Sequence, residues 1–315
     1  MVTTSAFKDF EFSCLPSAER THVFHSSGTT EHRPSRHFHN DVSLQVYEAS
    51  LLSGFRKFVA VTEAAPEQRA ITILSLTPSL KAAPHSSLVH MFDSIVREGE
   101  FGPRSGSADS AFLGTITDDG SWAIDFERAR AKLDAACSKG APVFLFGTAF
   151  LFVHLIDYLE VTGLHFELPA GSCMLETGGY KGRSRAVPRP ELHSLICERF
   201  RLAPHEILCE YGMCELSSQA YSKLPIDAPN TCDSPRIFQF PPWARAQVIS
   251  PETGLEAIGE GETGLLRIFD LANIWSVCAI QTEDLAIRRG TGFELIGRGR
   301  TAEPRGCSIM AHADP

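Results

Sequence analysis

Apolar and polar positions alternate along Thr21-His-Val-Phe24, predicting a short strand that enters a run of small hydroxyl residues around one glycine. From Asn40 to Lys57 the apolar positions Val42, Leu44, Val46 and Leu51-Leu52 predict a helix. Ala70-Ile-Thr-Ile-Leu-Ser-Leu76 is β-branched and apolar and stops at Thr77-Pro78, which reads as a buried strand. Residues 84–110, rich in Ser and Gly, read as loop around one short helix. Phe126 to Cys137 predicts a helix that Gly140 terminates, Pro142 to Thr148 a second buried strand, and the residues after it a helix to about Glu160 with a stop at Gly163. Gly171 to Glu176 is expected to enter a Gly-rich turn, and Pro188 to Phe200 sets Leu192, Leu195, Ile196 and Phe200 on one helical face. From Arg236 onward the pattern turns to strands, at Phe238–Ile249, Gly264–Phe269, Trp275–Gln281 and Phe293–Ile296.

Strand and helix alternate first and strands alone follow, so the chain is read as an α/β part, residues 1–228, and a smaller β-rich part, residues 229–315. The expected boundary lies in the Pro/Asp/Asn stretch between Tyr221 and Arg236. Of the 315 residues 43% are hydrophobic and 21% charged, enough apolar surface for a large core. A formal net charge of -9 argues against a nucleic-acid groove, which needs clustered Lys and Arg, but leaves room for a nucleotide held by backbone amides and a metal ion. Nine cysteines without a C-x-x-C pair suit a reduced compartment, no signal peptide is read at the N-terminus, and the longest uncharged stretch, Ala141 to Ile156, is short of the ~20 residues a membrane helix needs. The expected location is the cytoplasm, with no membrane span.

Four segments carry candidate chemistry. His25-Ser-Ser-Gly-Thr-Thr30 places hydroxyls and a glycine between a strand and a helix, where backbone N–H groups can cradle phosphate; its spacing is not that of a G-x-x-x-x-G-K-[ST] loop. Glu176-Thr-Gly-Gly-Tyr-Lys-Gly182 pairs glycines that let a planar ligand approach the backbone with an aromatic face at Tyr180. Glu210-Tyr-Gly-Met-Cys-Glu215 has an aromatic to stack a base and a carboxylate to hold a divalent cation. Gln281-Thr-Glu-Asp284 is followed by Gly297-Arg298, an acid for ribose hydroxyls and a guanidinium for phosphate. Taken singly, each also reads as an ordinary turn or loop.

Together and in this order the four segments resemble the adenylate-forming superfamily of acyl-CoA synthetases, luciferase and peptide-synthetase adenylation domains. Within it the likeness is to the acyl-protein synthetases of bacterial bioluminescence operons, from about Phe24 to Ser308. The resemblance implies the superfamily's large-domain core, mixed sheets with flanking helices followed by a smaller β-rich subdomain, with the mobile C-terminal domain essentially absent. It implies ATP and Mg2+ as cofactors. Ser26, Ser27, Gly28, Thr29 and Thr30 would surround the β/γ-phosphates, Gly178, Gly179, Tyr180, Tyr211 and Gly212 the adenine, Asp284 the ribose and Arg298 ribose or phosphate, with Glu215 on Mg2+. It also implies the reaction: a carboxylic acid, with a fatty acid favoured, attacks the α-phosphate, leaving acyl-adenylate and pyrophosphate. Departures from the pattern are Glu31 and Ser35, where relatives carry Gly and Lys, and Cys214, where Thr is common.

Cys307 in Arg305-Gly-Cys-Ser308 matches the acyl-accepting cysteine of that family and would carry a thioester destined for an acyl reductase or acyltransferase protein. Transfer to CoA or an amine, or a non-catalytic nucleotide-binding relative, are the alternatives. His32, His37 and His39 lie close together but lack a completing carboxylate or cysteine, and Phe144, Phe146, Phe150 and Phe152 read as core packing rather than an acyl tunnel.

Overall fold

A computed structural model describes residues 1–26, 33–59, 71–98, 110–180, 184–224, 231–257 and 259–298. The expected division at 228/229 falls in residues 225–230, and Ser27, Gly28, Thr29, Thr30, Glu31 and Cys307 also lie outside the described residues.

The hydrophobic runs read as buried strands become the middle of a six-stranded sheet. Its order is Ala220–Lys223, Ile207–Tyr211, Cys173–Thr177, Val143–Thr148, Thr72–Ser75 and Ala111–Phe112. All neighbours are parallel except the first pair. Because side chains alternate across a strand, Leu74, Leu145, Met174 and Ile207 face one core while Ile73, Phe144, Phe146, Leu175 and Leu208 face another. The helices Phe126–Lys139, Ala149–Thr162 and Arg189–Phe200 cover the first face. Asp41–Val59 and Ser87–Glu98 cover the second. Burial on both faces explains why these strands are continuously apolar rather than alternating.

Helix ends follow the expected punctuation. Asp125 caps Phe126–Lys139 by accepting the Arg128 N–H, and Gly140 and Gly163 close their helices in the left-handed region at φ 61° and 66°. Cys173–Thr177, expected as the approach to a turn, is instead a strand, because its flanks at 143–148 and 207–211 offer ladders on both sides. Tertiary pairing overrides its weak strand propensity, and the turn begins one residue later, at Gly178 with φ 69°.

The second sheet is antiparallel, in the order Ile237–Phe238, Gly292–Arg298, Ala279–Arg289, Thr263–Asp270 and Ala244–Ile249. Val2–Thr3 adds a parallel strand beside Ala279–Arg289, and Phe7 packs into the third core with Tyr211, Leu216 and Phe293. The β-rich layer is therefore built from both ends of the chain. Two hairpins complete the fold, His22–His25 with Arg36–His39 and Gly114–Ile116 with Trp122–Ile124. The four phenylalanines of the 144–152 stripe are all buried, and Phe150 also reaches the cavity described next. Among the described residues no helix is long and apolar enough to cross a membrane.

Candidate active site

A cavity of about 420 Å³ opens at the carboxyl ends of the parallel strands and is shared by the two sheets. That position follows from the topology, since strand ends of an open parallel sheet leave a crevice that no helix fills. Four separately read segments converge on it, contributing Ser26, Gly178, Gly212 to Glu215, and Asp284 with Arg298. Tyr47, Leu88, Met91, Trp122 and Phe150 supply an apolar wall.

Asp284 and Arg298, 14 residues apart, face each other on the adjacent antiparallel strands of one hairpin. Arg298 Nε donates to Asp284 Oδ1 at 3.1 Å, and the Tyr211 hydroxyl donates to Oδ2 at 2.7 Å. Tyr211 is thereby committed to the carboxylate, its ring packed edge-on against Phe293, and it does not line the cavity. Tyr180 is likewise buried, its hydroxyl donating to the Val187 carbonyl at 2.5 Å. Neither aromatic face, nor Gly179, lines the cavity; Gly178 and Gly212 do. A Cβ on Gly212 would collide with Glu210 Oε1, so a side chain there would displace the Glu210 carboxylate from its place in the cavity wall.

Glu215 is 1% exposed. Its carboxylate accepts the Cys214 thiol at 3.2 Å, and the Cys214 carbonyl accepts His37 Nδ1–H at 2.8 Å. Cys214 thus works through its backbone as well as its thiol. Burial pushes the His37 imidazole below its ordinary value despite that hydrogen bond, keeping a neutral ring beside Glu215.

The segment carrying Glu215 is fixed by a residue that none of the motifs contains. Asp270, fully buried at the end of its strand, accepts Ser217 N at 2.9 Å and Ser218 N at 2.8 Å on Oδ2, and Ser218 Oγ at 2.7 Å and Ala272 N at 3.0 Å on Oδ1. Asn273 Nδ2 adds a donor to the Glu215 carbonyl at 2.9 Å. A carboxylate gathering several N–H groups is a strong clamp, but Phe269-Asp-Leu in sequence looks like any strand end.

Ser26, the described part of the phosphate segment, donates its N–H to the Ser35 carbonyl at 3.0 Å and accepts Ser35 N at 2.8 Å on Oγ. Ser35 is fully buried. On the cavity wall His25 and His85 stack at 4.8 Å, a pair that no sequence motif marks. Burial, with His85 and Arg36 nearby, holds His25 below its ordinary value.

Glu176 does not reach the cavity. With His193 and Cys209 it forms a buried group of potential metal donors. Arg236 Nη2, which can only donate, lies 3.3 Å from His193 Nδ1, so the ring's proton sits on Nε2 and points to Glu176 Oε2 at 3.5 Å. The group is a charge-compensated bridge from Arg236 to Glu176, and a cation there would confront the guanidinium. The His37 and His39 rings lie 4.3 Å apart, tilted by 47°, and His39 packs against Phe24 and Tyr47.

Comparison with solved structures gives the fold its class. The structure of McyG A-PCP complexed with phenylalanyl-adenylate matches at TM-score 0.53 and 14% identity, covering 92% of this chain and 49% of that one. A long-chain-fatty-acid-CoA ligase, FadD1 from Archaeoglobus fulgidus, matches at TM-score 0.53 and 16% identity, covering 88% and 51%. The chain has the adenylate-forming fold. Its own family is narrower: residues 2–313 match the sequence model described as Acyl-protein synthetase, LuxE, and the chain belongs to that family. The long-chain-fatty-acid–luciferin-component ligase of Vibrio harveyi is 27% identical over 207 residues, 62% of this chain and 50% of the relative. That of Aliivibrio fischeri is 25% identical over 200 residues, 59% and 49%. The chain spans about half the length of these relatives.

Proposed function

We propose that this chain uses ATP to activate a carboxylic acid as its acyl-adenylate and then passes the acyl group to a thiol. The observation that carries the reading is the convergence of Ser26, Gly178, Glu215, Asp284 and Arg298, from four stretches of sequence, on one cavity. Family membership supports it.

The residues present fit a nucleotide and a hard cation. Gly178 and Gly212, which line the cavity without side chains, suit a flat base, and the Asp284–Arg298 pair offers an acceptor for ribose hydroxyls beside a donor for phosphate. Glu215 is an oxygen donor of the kind Mg2+ takes together with phosphates. When bound, Mg2+ would neutralise charge developing on the phosphates. The attacking carboxylate is already an anion, so no general base is required, and the protein's task is alignment and electrostatic stabilisation. Asp270 contributes by holding the Glu215 segment still, and the neutral His37 ring adds no competing charge.

The acyl acceptor in this reading is Cys307: its thiolate attacks the acyl carbonyl, the thioester C–S bond forms and AMP departs with the bonding pair. A long-chain fatty acid is favoured because the two relatives are named for it, and the apolar wall of Tyr47, Leu88, Met91 and Phe150 suits a hydrocarbon chain. A reductase or acyltransferase would then collect the acyl group. The protein incubated with ATP, Mg2+ and radiolabelled fatty acid should acquire label that hydroxylamine removes. Cys307→Ala should not, and equal labelling of that variant would refute the thioester step.

A further inference from the structure

Where the parallel strands end, one row of side chains is polar. Thr148 pairs in register with Thr177, and Thr177 with Glu210, so three neighbouring strands present Thr, Thr and Glu to the cavity at one level. Gln219 joins them, its Cγ lying 3.5 Å from where a Cβ on Gly212 would sit, beside Glu210. Only part of this row is satisfied. Thr177 Oγ1 donates to Glu210 Oε2. Thr148 Oγ1 and Gln219 Oε1 have no hydrogen-bond partner among the described residues, although the two side chains are 1% and 5% exposed.

Orphaned polar atoms in a buried wall are costly unless a ligand or water completes them. We propose that Thr148, Thr177, Glu210 and Gln219 form a subsite for a hydroxyl substituent on the carboxylic acid that this protein activates. The inference rests on the acid-activation reading above and narrows its substrate class. A hydroxyl both donates and accepts, so it can give its proton to Gln219 Oε1 or Glu210 and take one from Thr148 Oγ1. An unsubstituted hydrocarbon lying there leaves Thr148 Oγ1 and Gln219 Oε1 unpaired. An ammonium substituent only donates, so it would leave the Thr148 O–H without the acceptor that a hydroxyl supplies. Leu88, Met91 and Phe150 remain available for the rest of the chain.

The test is acid-dependent ATP–pyrophosphate exchange with matched acids of one chain length: unsubstituted, hydroxylated near the carboxylate, hydroxylated at the far end, and the amino counterparts. Sites built to hydrogen-bond a hydroxyl reject the analogue lacking it strongly. One hydroxylated acid should exceed the unsubstituted acid at least tenfold in kcat/KM. Thr148→Val, which keeps the shape, and Gln219→Met should each reduce that ratio several-fold, through KM for the hydroxylated acid. Exchange with the unsubstituted acid equal to or better than all hydroxylated ones, or a ratio indifferent to both variants, overturns the subsite and leaves acid activation standing. Preference for an amino acid overturns the hydroxyl assignment. Absence of exchange with every acid overturns acid activation and the subsite with it.

Discussion

The clamp at Asp270 gives a worked test of how the Glu215 segment is held. In Asp270→Asn the side chain keeps its volume but loses one acceptor oxygen and its charge. Oδ2 takes two backbone donors, Ser217 N and Ser218 N, and Oδ1 takes Ala272 N and Ser218 Oγ. Ser218 Oγ can rotate to accept from an amide NH2, but the backbone donors cannot. The amide oxygen therefore settles on the Oδ2 side, leaving Ala272 N–H facing NH2, at about 1–3 kcal/mol for a buried unpaired donor. The three surviving contacts lose charge assistance, roughly half their strength. The sum is about 3 kcal/mol, read as a lower midpoint in urea at unchanged slope. Glu215 sits two residues before the first clamped amide, so kcat should fall at least tenfold while the KM for the acid changes little. A loss below about 1 kcal/mol with full kcat would refute the claim that Asp270 positions the segment.

Two further outcomes follow from buried contacts. Glu210 has its carboxyl raised by burial from 4.5 to about 7, so the folded protein binds a proton there that the unfolded chain releases. The stability this group contributes is full below pH 4.5 and is lost as pH rises through 7. Some 2.5 units at about 1.36 kcal/mol each amount to about 3 kcal/mol. The stability of Glu210→Gln relative to the parent should therefore rise by about 3 kcal/mol from pH 4.5 to pH 8 in denaturant titrations, and a pH-independent difference would contradict the assignment. Gly114 lies with its Cα against the backbone of Leu76, Thr77 and Pro78, donating its N–H to the Thr77 carbonyl at 3.0 Å. Gly114→Ala should cost about 3 kcal/mol or more, since the new Cβ would meet backbone atoms of Leu76, Thr77 and Pro78 rather than a side chain that can yield; a thermal midpoint within one degree or so of the parent would show that this approach is looser.

Much of the scaffold was legible in the sequence because its signals are local. Apolar runs closed by Thr77-Pro78 or Gly140 specify buried strands and helix ends through backbone chemistry alone. Cys173–Thr177 and Ile207–Tyr211 were not marked as strands: Cys, Met, Leu and Glu have no strong strand preference, the strand formers Thr177, Ile207 and Tyr211 stand only at the segment ends, and the neighbours' ladders fix both. The site divides in the same way. Gly178, Gly212, Glu215, Asp284 and Arg298 stand in motif-like spacings, and all line the cavity. Tyr180 and Tyr211 carried the same local signature, yet their hydroxyls found partners at Val187 and Asp284 that turn the rings into the core. Asp270 and the Thr148–Thr177–Glu210 row were invisible because their meaning lies in registers between strands that are distant in sequence.

Acid activation itself is tested most directly by ATP–pyrophosphate exchange with and without a carboxylic acid, in the parent chain and in Glu215→Gln. The account predicts exchange that requires both the acid and Mg2+, and that falls at least a hundredfold in Glu215→Gln with the fold intact. Exchange without any acid, or acid-dependent exchange that survives Glu215→Gln undiminished, would contradict it.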